Sequence, residues 1–220
     1  MSTHQLEEIL HPQSIAVVGA SGVAGTQGYI FVSALLKAEF KGNIYPVNPK
    51  YSEIAGLKAY PTLTEIPTPV DFVISNVPAP EVPAMLEGCA RKGVKAVHLY
   101  TARFSETGRQ EAAELEKQIL KQAKAAGIRL IGPNCMGVYY PKHGISWRED
   151  FPKESGTVGL ASQSGGHARR IVYLAAVRGV YFSKAISYGN AIDFNESDFL
   201  DYFSDDPMTK IILMYVEGVK

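Results

Sequence analysis

The sequence predicts an α/β protein, a doubly wound parallel sheet followed by a smaller α/β unit. Three observations carry this reading. Short apolar runs alternate with helical patterns through most of the chain. The first run feeds a glycine-rich turn and then a helix. The unusual short motifs of this first part fall at the carboxyl ends of strands, where ligands sit in such sheets.

The first strand, Ile15 to Val18, opens the stretch SIAVVGASGVAGTQGYIF. Gly19, Gly22, Gly25 and Gly28 make the turn, and a helix follows from about Gly25 to Glu39, stopped near Gly42. Backbone N–H groups bared at a positive helix end form an anion site. The pattern is not G-x-G-x-x-G, because Ser21 stands where the second glycine belongs. A second strand, Asn43 to Val47, stops at Asn48-Pro49-Lys50, since Pro49 cannot continue a ladder. Residues 51–69, rich in proline, read as loop with at most one helical turn. The third strand, Val70 to Val77, ends in Pro78-Ala79-Pro80, and the next helix sets Val82, Met85, Leu86, Cys89 and Ala90 on one face before Gly93 stops it. Val94 to Tyr100 is the fourth strand. Thr107 with Gln110 reads as a capping box for a helix through Ala126, with Gly127 just past its end. Ile128 to Ile131 is the fifth strand, running into Gly132-Pro133-Asn134-Cys135. Right-handed crossovers then predict a strand order of 3-2-1-4-5.

After an irregular passage, Tyr139 to Ser155, the pattern restarts. Thr157 to Ala161 is a strand, Ser162 to Gly166 a second small-residue turn, and His167 to Arg178 a helix. Tyr181 to Ser187, a helix near Ser197 to Phe203, and a strand Lys210 to Val216 complete a βαβαβ unit. Three strands with two helices leave one sheet face poorly covered, which is marginal alone. The sequence is therefore expected to be a piece of a longer polypeptide or to need a partner. The division predicted is 1–142 and 143–220.

With 46% hydrophobic and 20% charged residues among 220, the chain has an ordinary globular composition. Formal net charge is zero with no basic stripe, which argues against nucleic-acid binding. No apolar run approaches the roughly 20 residues of a membrane helix, so no membrane contact is expected. Two cysteines, Cys89 and Cys135, point to a reducing cytoplasm. No histidine has metal-ligand spacing, so no metal site is expected; His98 reads as core and His167 as a helix-start or surface residue.

The second strand ends without the carboxylate that would hold the ribose of NAD. Lys50 there suits a ribose bearing an extra phosphate, as in NADP or coenzyme A; a solvated loop lysine fits equally well. The motifs VVGASGVAGTQG, YPVNPKY, NVPAP, FSETG, IGPNCMGV, SQSGG, SYGNAIDFNESDFLDYF and YVEG follow in that order. In them the chain resembles the CoA-binding region of the nucleoside-diphosphate-forming acyl-CoA synthetases, the family of succinyl-CoA synthetase alpha subunits and ADP-forming acetyl-CoA synthetases. The likeness extends from about Pro12 to Gly218.

That resemblance implies a Rossmann-like CoA-binding domain followed by the start of a flavodoxin-like ligase domain. It implies that Gly19, Ser21, Gly22, Gly25, Thr26 and Gln27 hold the CoA phosphates, and that Val47, Asn48, Pro49 and Lys50 line the adenine and 3′-phosphate end. Val77 and Pro78 would pack on adenine or pantetheine. Thr101, Phe104 and Glu106 would border the pantetheine arm, and Asn134 would lie near the reactive end. Ser162, Ser164, Gly165 and Gly166 would cradle a phosphate, and Glu217 would act beside a phosphohistidine. The reaction implied converts acyl-CoA, phosphate and ADP to acid, CoA and ATP through an acyl phosphate. ADP or ATP with Mg²⁺ would sit on an ATP-grasp subunit or domain outside this chain, in an oligomer, and the family's histidine would lie beyond Glu217. Two other functions stay open on the residues alone: an NADP-dependent oxidoreductase, and a CoA-sensing regulatory domain attached to an acyltransferase.

Overall fold

A computed structural model describes residues 5–219. After a short helix α1 (Gln5–Leu10), β1 (Ser14–Val18) leads through the glycine turn into α2 (Gln27–Lys37) and β2 (Asn43–Val47). The proline-rich passage holds a hairpin of β3 (Glu53–Ile54) and β4 (Leu57–Lys58) and one 3₁₀ turn at Leu63–Glu65. Then follow β5 (Phe72–Ser75), α3 (Val82–Lys92), β6 (Ala96–Leu99), α4 (Gln110–Ala125) and β7 (Arg129–Ile131). All pairings in this sheet are parallel.

The strand order differs from the one the sequence predicts. The five-stranded sheet runs β2-β1-β5-β6-β7, so the third parallel strand lies beside the first, not outside the second. Two local causes fix this. Asp71, just before β5, accepts from the backbone N–H groups of Gln13 and Ser14, and its own N–H donates to Ser14 Oγ. Pro46 lies inside β2 and has no N–H to give to an outer neighbour, which confines β2 to the edge. The outer side of β2 is covered instead by Tyr60, whose N–H donates to the Pro46 carbonyl. The order makes β1 and β5 the switch point of the sheet.

Alternation along β1 divides the core. Ala16 faces a cluster with Val73, Val97 and Leu130 under α3 and α4. Ile15 and Val17 face the other way, into a cluster that includes Phe31 and Leu35 of α2, Leu6 and Leu10 of α1, and Leu160, Ile186 and Phe199 of the second unit. One continuous core therefore joins the two units.

The second unit contains β8 (Gly137–Tyr139), β9 (Val158–Ser162), α5 (Gly165–Ala176), β10 (Phe182–Ser187), α6 (Glu196–Asp205) and β11 (Ile211–Tyr215). Its sheet is ordered β11-β9-β10-β8, with β8 antiparallel to β10. That added strand comes from the edge of the passage read as irregular, and α1 and α2 cover what the unit's own helices do not. The β11 side stays open, with Ile211 60% and Leu213 41% exposed. Buried Lys184 of β10 is paired with Asp206 at 2.8 Å and lies over the Tyr140 ring. The capping box expected at Thr107 is absent: the Thr107 hydroxyl donates to the Phe104 carbonyl and α4 starts after Arg109 without a side-chain cap. A capping box does open α6, between Asn195 and Asp198. Among the described residues, no helix is long and apolar enough to cross a membrane.

Candidate functional site

The first turn is held by its carbonyls. The Asn48 side-chain amide donates to the Ala20 carbonyl at 2.7 Å, and the Asn76 amide to the Gly19 carbonyl at 3.1 Å. Two of its glycines are required by space: a Cβ on Gly19 (φ +80) would lie 2.7 Å from the Asn76 carbonyl oxygen, and one on Gly28 2.5 Å from the Gly19 oxygen. Ser21 Oγ accepts from the Val23 N–H, and the Thr26 hydroxyl donates to the Val23 carbonyl, so both shape the turn itself. Thr26 begins α2 without a side-chain cap. The first helical N–H groups, which have no partner within a helix, are therefore left to a ligand. Gln27 keeps a buried side-chain NH₂ with no protein acceptor.

A cleft runs along the carboxyl edge of the sheet over the β1/β5 switch point. Its smaller lobe, about 750 Å³, is lined by Gly19, Val47, Asn48, Pro49, Lys50 and, from α3, Met85 and Arg91 among others. Its larger lobe, about 1340 Å³, takes in Tyr100, Thr101, Arg103, Asn134, Met136, Gly165 and Gly166. Asn76, Val77, Pro78 and Pro80 line both lobes. The cleft thus reaches from the first glycine turn to the second.

Thr101 is buried and its hydroxyl donates to the Val77 carbonyl at 2.7 Å. Phe104 is fully buried in the core beneath α4, so its side chain supports the cleft rather than facing it. Glu106 accepts from the backbone N–H groups of Arg103 and Phe104 and from Asn190. Burial pushes its carboxyl up, but those bonds outweigh it and hold the group below the usual carboxylate range. Asn134 sits in the left-handed region (φ +58), which asparagine tolerates, with its N–H on the Thr101 carbonyl. Cys135 is an unreactive buried thiol: burial raises it well above the ordinary thiol range, and it faces the Leu99 and Ile131 carbonyls. Beneath this segment His98 bonds the Cys135 carbonyl, and burial lowers its imidazole to about 4.

At the second turn, Ser164 caps α5, its Oγ accepting from the His167 N–H at 3.3 Å. Ser162 is buried and donates to the Ser164 carbonyl. Gly165 and Gly166 face the cleft; a Cβ on Gly165 would strike Met136 at 2.6 Å. His167 stacks on Tyr215 at 4.3 Å, with Nδ1 3.0 Å from Ser164 Oγ. Glu217 is exposed, and its backbone N–H bonds Gln163 Oε1, which also accepts from the Gly218 N–H. Gln163, Asn76 and Asn190 were not named by the sequence patterns, although each stands in a quoted motif. Among the described residues, no three His, Cys, Asp or Glu side chains are grouped to hold a metal.

Such a sheet, with a glycine turn at its switch point and one cleft along its edge, defines a site for an elongated, phosphate-bearing ligand of nucleotide type. Comparison with known proteins narrows the class. Residues 13–141 match the model of the CoA binding domain, and residues 155–220 that of the succinyl-CoA ligase like flavodoxin domain. The chain belongs to the CoA binding domain family. It is 41% identical over 219 residues to an ADP-forming acetate–CoA ligase of Methanocaldococcus jannaschii, covering 99% of this chain and 30% of that protein. It is 37% identical to the alpha subunit of the ADP-forming acetate–CoA ligase I of Pyrococcus furiosus, covering 98% of this chain and 47% of the subunit. It superposes with a TM-score of 0.92 and 35% identity on the acetyl-coenzyme A synthetase 1 of Ca. Korarchaeum cryptofilum, solved with phosphate and ADP, over 99% of this chain and 47% of that one. The chain therefore spans less than half the length of these relatives.

Proposed function

We propose that this chain is the CoA-binding part of an ADP-forming acyl-CoA synthetase. The observation that carries the proposal is the single cleft joining two glycine turns, each at the start of a helix. CoA is long enough to use both ends. Its diphosphate suits the N–H groups of residues 19–28, and its 3′-phosphate suits Lys50, which forms no ion pair. Val77 and Pro78 offer an apolar waist for the pantetheine, and the thiol then lies near Asn134. A phosphate at Gly165 and Gly166 is placed to attack the thioester carbonyl. The carbon–sulfur bond breaks, giving an acyl phosphate and the CoA thiolate, and the helix end stabilises the negative charge.

Phosphoryl transfer onward to ADP requires a phosphohistidine and an ATP-grasp subunit or domain with Mg²⁺. Glu217, at the rim beside the second turn, is the residue that meets that histidine. The natural assembly on this reading is oligomeric and cytoplasmic, in keeping with two buried reduced thiols. Alone, the chain binds CoA and does not turn over. Calorimetric titration with CoA, dephospho-CoA and NADP tests the proposal. CoA should bind most tightly; CoA binding no better than NADP refutes it.

A further inference from the structure

The segment Ser187-Tyr188-Gly189-Asn190 follows β10 in the second unit, yet its contacts are with the wall of the first unit's cleft. Asn190 Nδ2 lies 2.7 Å from Glu106 Oε2 and 2.9 Å from Glu116 Oε2, so its two N–H bonds each reach a different carboxylate. No Lys or Arg forms an ion pair with either glutamate. Both glutamates hold the backbone of the turn that follows Thr101. Glu106 accepts from Arg103 N at 2.5 Å and Phe104 N at 3.1 Å, and Glu116 from Ser105 N at 3.4 Å. This keeps Arg103 left-handed (φ +77), a region side chains disfavour, and Arg103 lines the cleft. Asn190 is itself fixed, its N–H donating to the Pro133 carbonyl at 2.9 Å, while Asn134 Nδ2 lies 3.5 Å from its Oδ1. Gly189 (φ +54) permits this approach, since a Cβ there would sit 2.1 Å from the Pro133 oxygen.

We infer that Asn190 is a positioning residue for CoA binding, whose one amide bridges Glu106 and Glu116 and thereby sets the pantetheine wall from the second unit. The inference rests on the CoA reading above. The titratable groups facing Asn190 are Glu106 from the 103–107 turn and Glu116 from α4. The 132–136 turn brings only Cys135, which faces backbone carbonyls. On its own loop, Asp193 is bonded to Arg129, and Glu196 lies toward Tyr188. Arg103 and Arg109 line the cleft nearby.

The test is calorimetry with CoA at pH 7.5 and 5.0, with thermal melting alongside, on the wild type, N190D and N190D/E116Q. N190D brings three carboxylates together and removes both donors. Its CoA affinity should fall about tenfold at pH 7.5 and return to near the wild-type value at pH 5.0, where the cluster shares a proton. In N190D/E116Q the glutamine amide supplies a donor again, and near-wild-type affinity should return at pH 7.5. N190D binding CoA like the wild type at pH 7.5, or losing the same factor at both pH values, overturns the inference. If N190D is unfolded at assay temperature, N190D/E116Q decides by itself: near-wild-type affinity supports the bridge, a tenfold loss overturns it. Wild-type protein that fails to bind CoA refutes the CoA reading itself, whereas wild-type binding with an indifferent N190D refutes only the role of Asn190.

Discussion

The turn at Gly19–Gly28 is braced largely from outside, by Asn48 and Asn76 beyond the ends of two other strands, whereas the turn at Ser162–Gly166 is braced largely by its own side chains. Both follow the same strand–turn–helix plan. The first helix begins uncapped, so several N–H groups are offered to a large ligand. The second begins with Ser164 on the His167 N–H, which leaves fewer donors and a smaller anion site. An externally braced turn can be wide because the sheet carries its strain. A self-braced turn stays small, and here it is positioned by contacts with the first unit, through Met136 and the Asn190 loop.

Breaking the first turn should have the largest effect. Gly28→Val places a branched side chain where even a Cβ meets backbone at 2.5 Å, and should cost about 2–4 kcal/mol of stability and abolish CoA binding, read by denaturant unfolding and calorimetry. Next comes the segment joining the turns, held by neutral His98. Its folded pKa lies near 4, below the unfolded value near 6.5, so the unfolded chain binds more protons between the two. Stability should therefore fall as pH drops from 6.5 toward 4, by up to about 3 kcal/mol. Urea midpoints should show this slope in the wild type and a flatter one in His98→Gln; equal slopes would count against the assignment.

Lys50→Ala sharpens the comparison at the ligand's far end. It should weaken CoA about tenfold while leaving dephospho-CoA within about twofold. Equal losses would remove Lys50 from the 3′-phosphate. The smallest effect belongs to the second turn: Ser164→Ala should lower stability by about 1 kcal/mol through the lost cap, measured by thermal melting.

Much of this molecule is legible in its sequence, because strands that are buried on both faces read as apolar runs and end at Gly or Pro. The strand order was legible too, but only through Pro46, which forbids an outer neighbour for β2. The three-residue strand Gly137–Tyr139 was not, since so short a run carries no period. Lys184 reads as a surface residue and is buried because Asp206, 22 positions away, pairs with it. At the site, the glycines show themselves through the turns they form. Asn76, Gln163 and Asn190 do not, because they bond partners 57, 55 and 84 positions away and leave no local pattern.

The central claim is that one ligand spans the first lobe and the thiol end, while phosphate occupies the second turn. Amide hydrogen exchange with CoA alone and with phosphate alone tests it most directly. CoA should protect residues 19–28 together with 132–136, and phosphate should protect 165–168. Protection by CoA confined to one of its two segments, or protection of the first turn by phosphate in place of the second, would contradict the account.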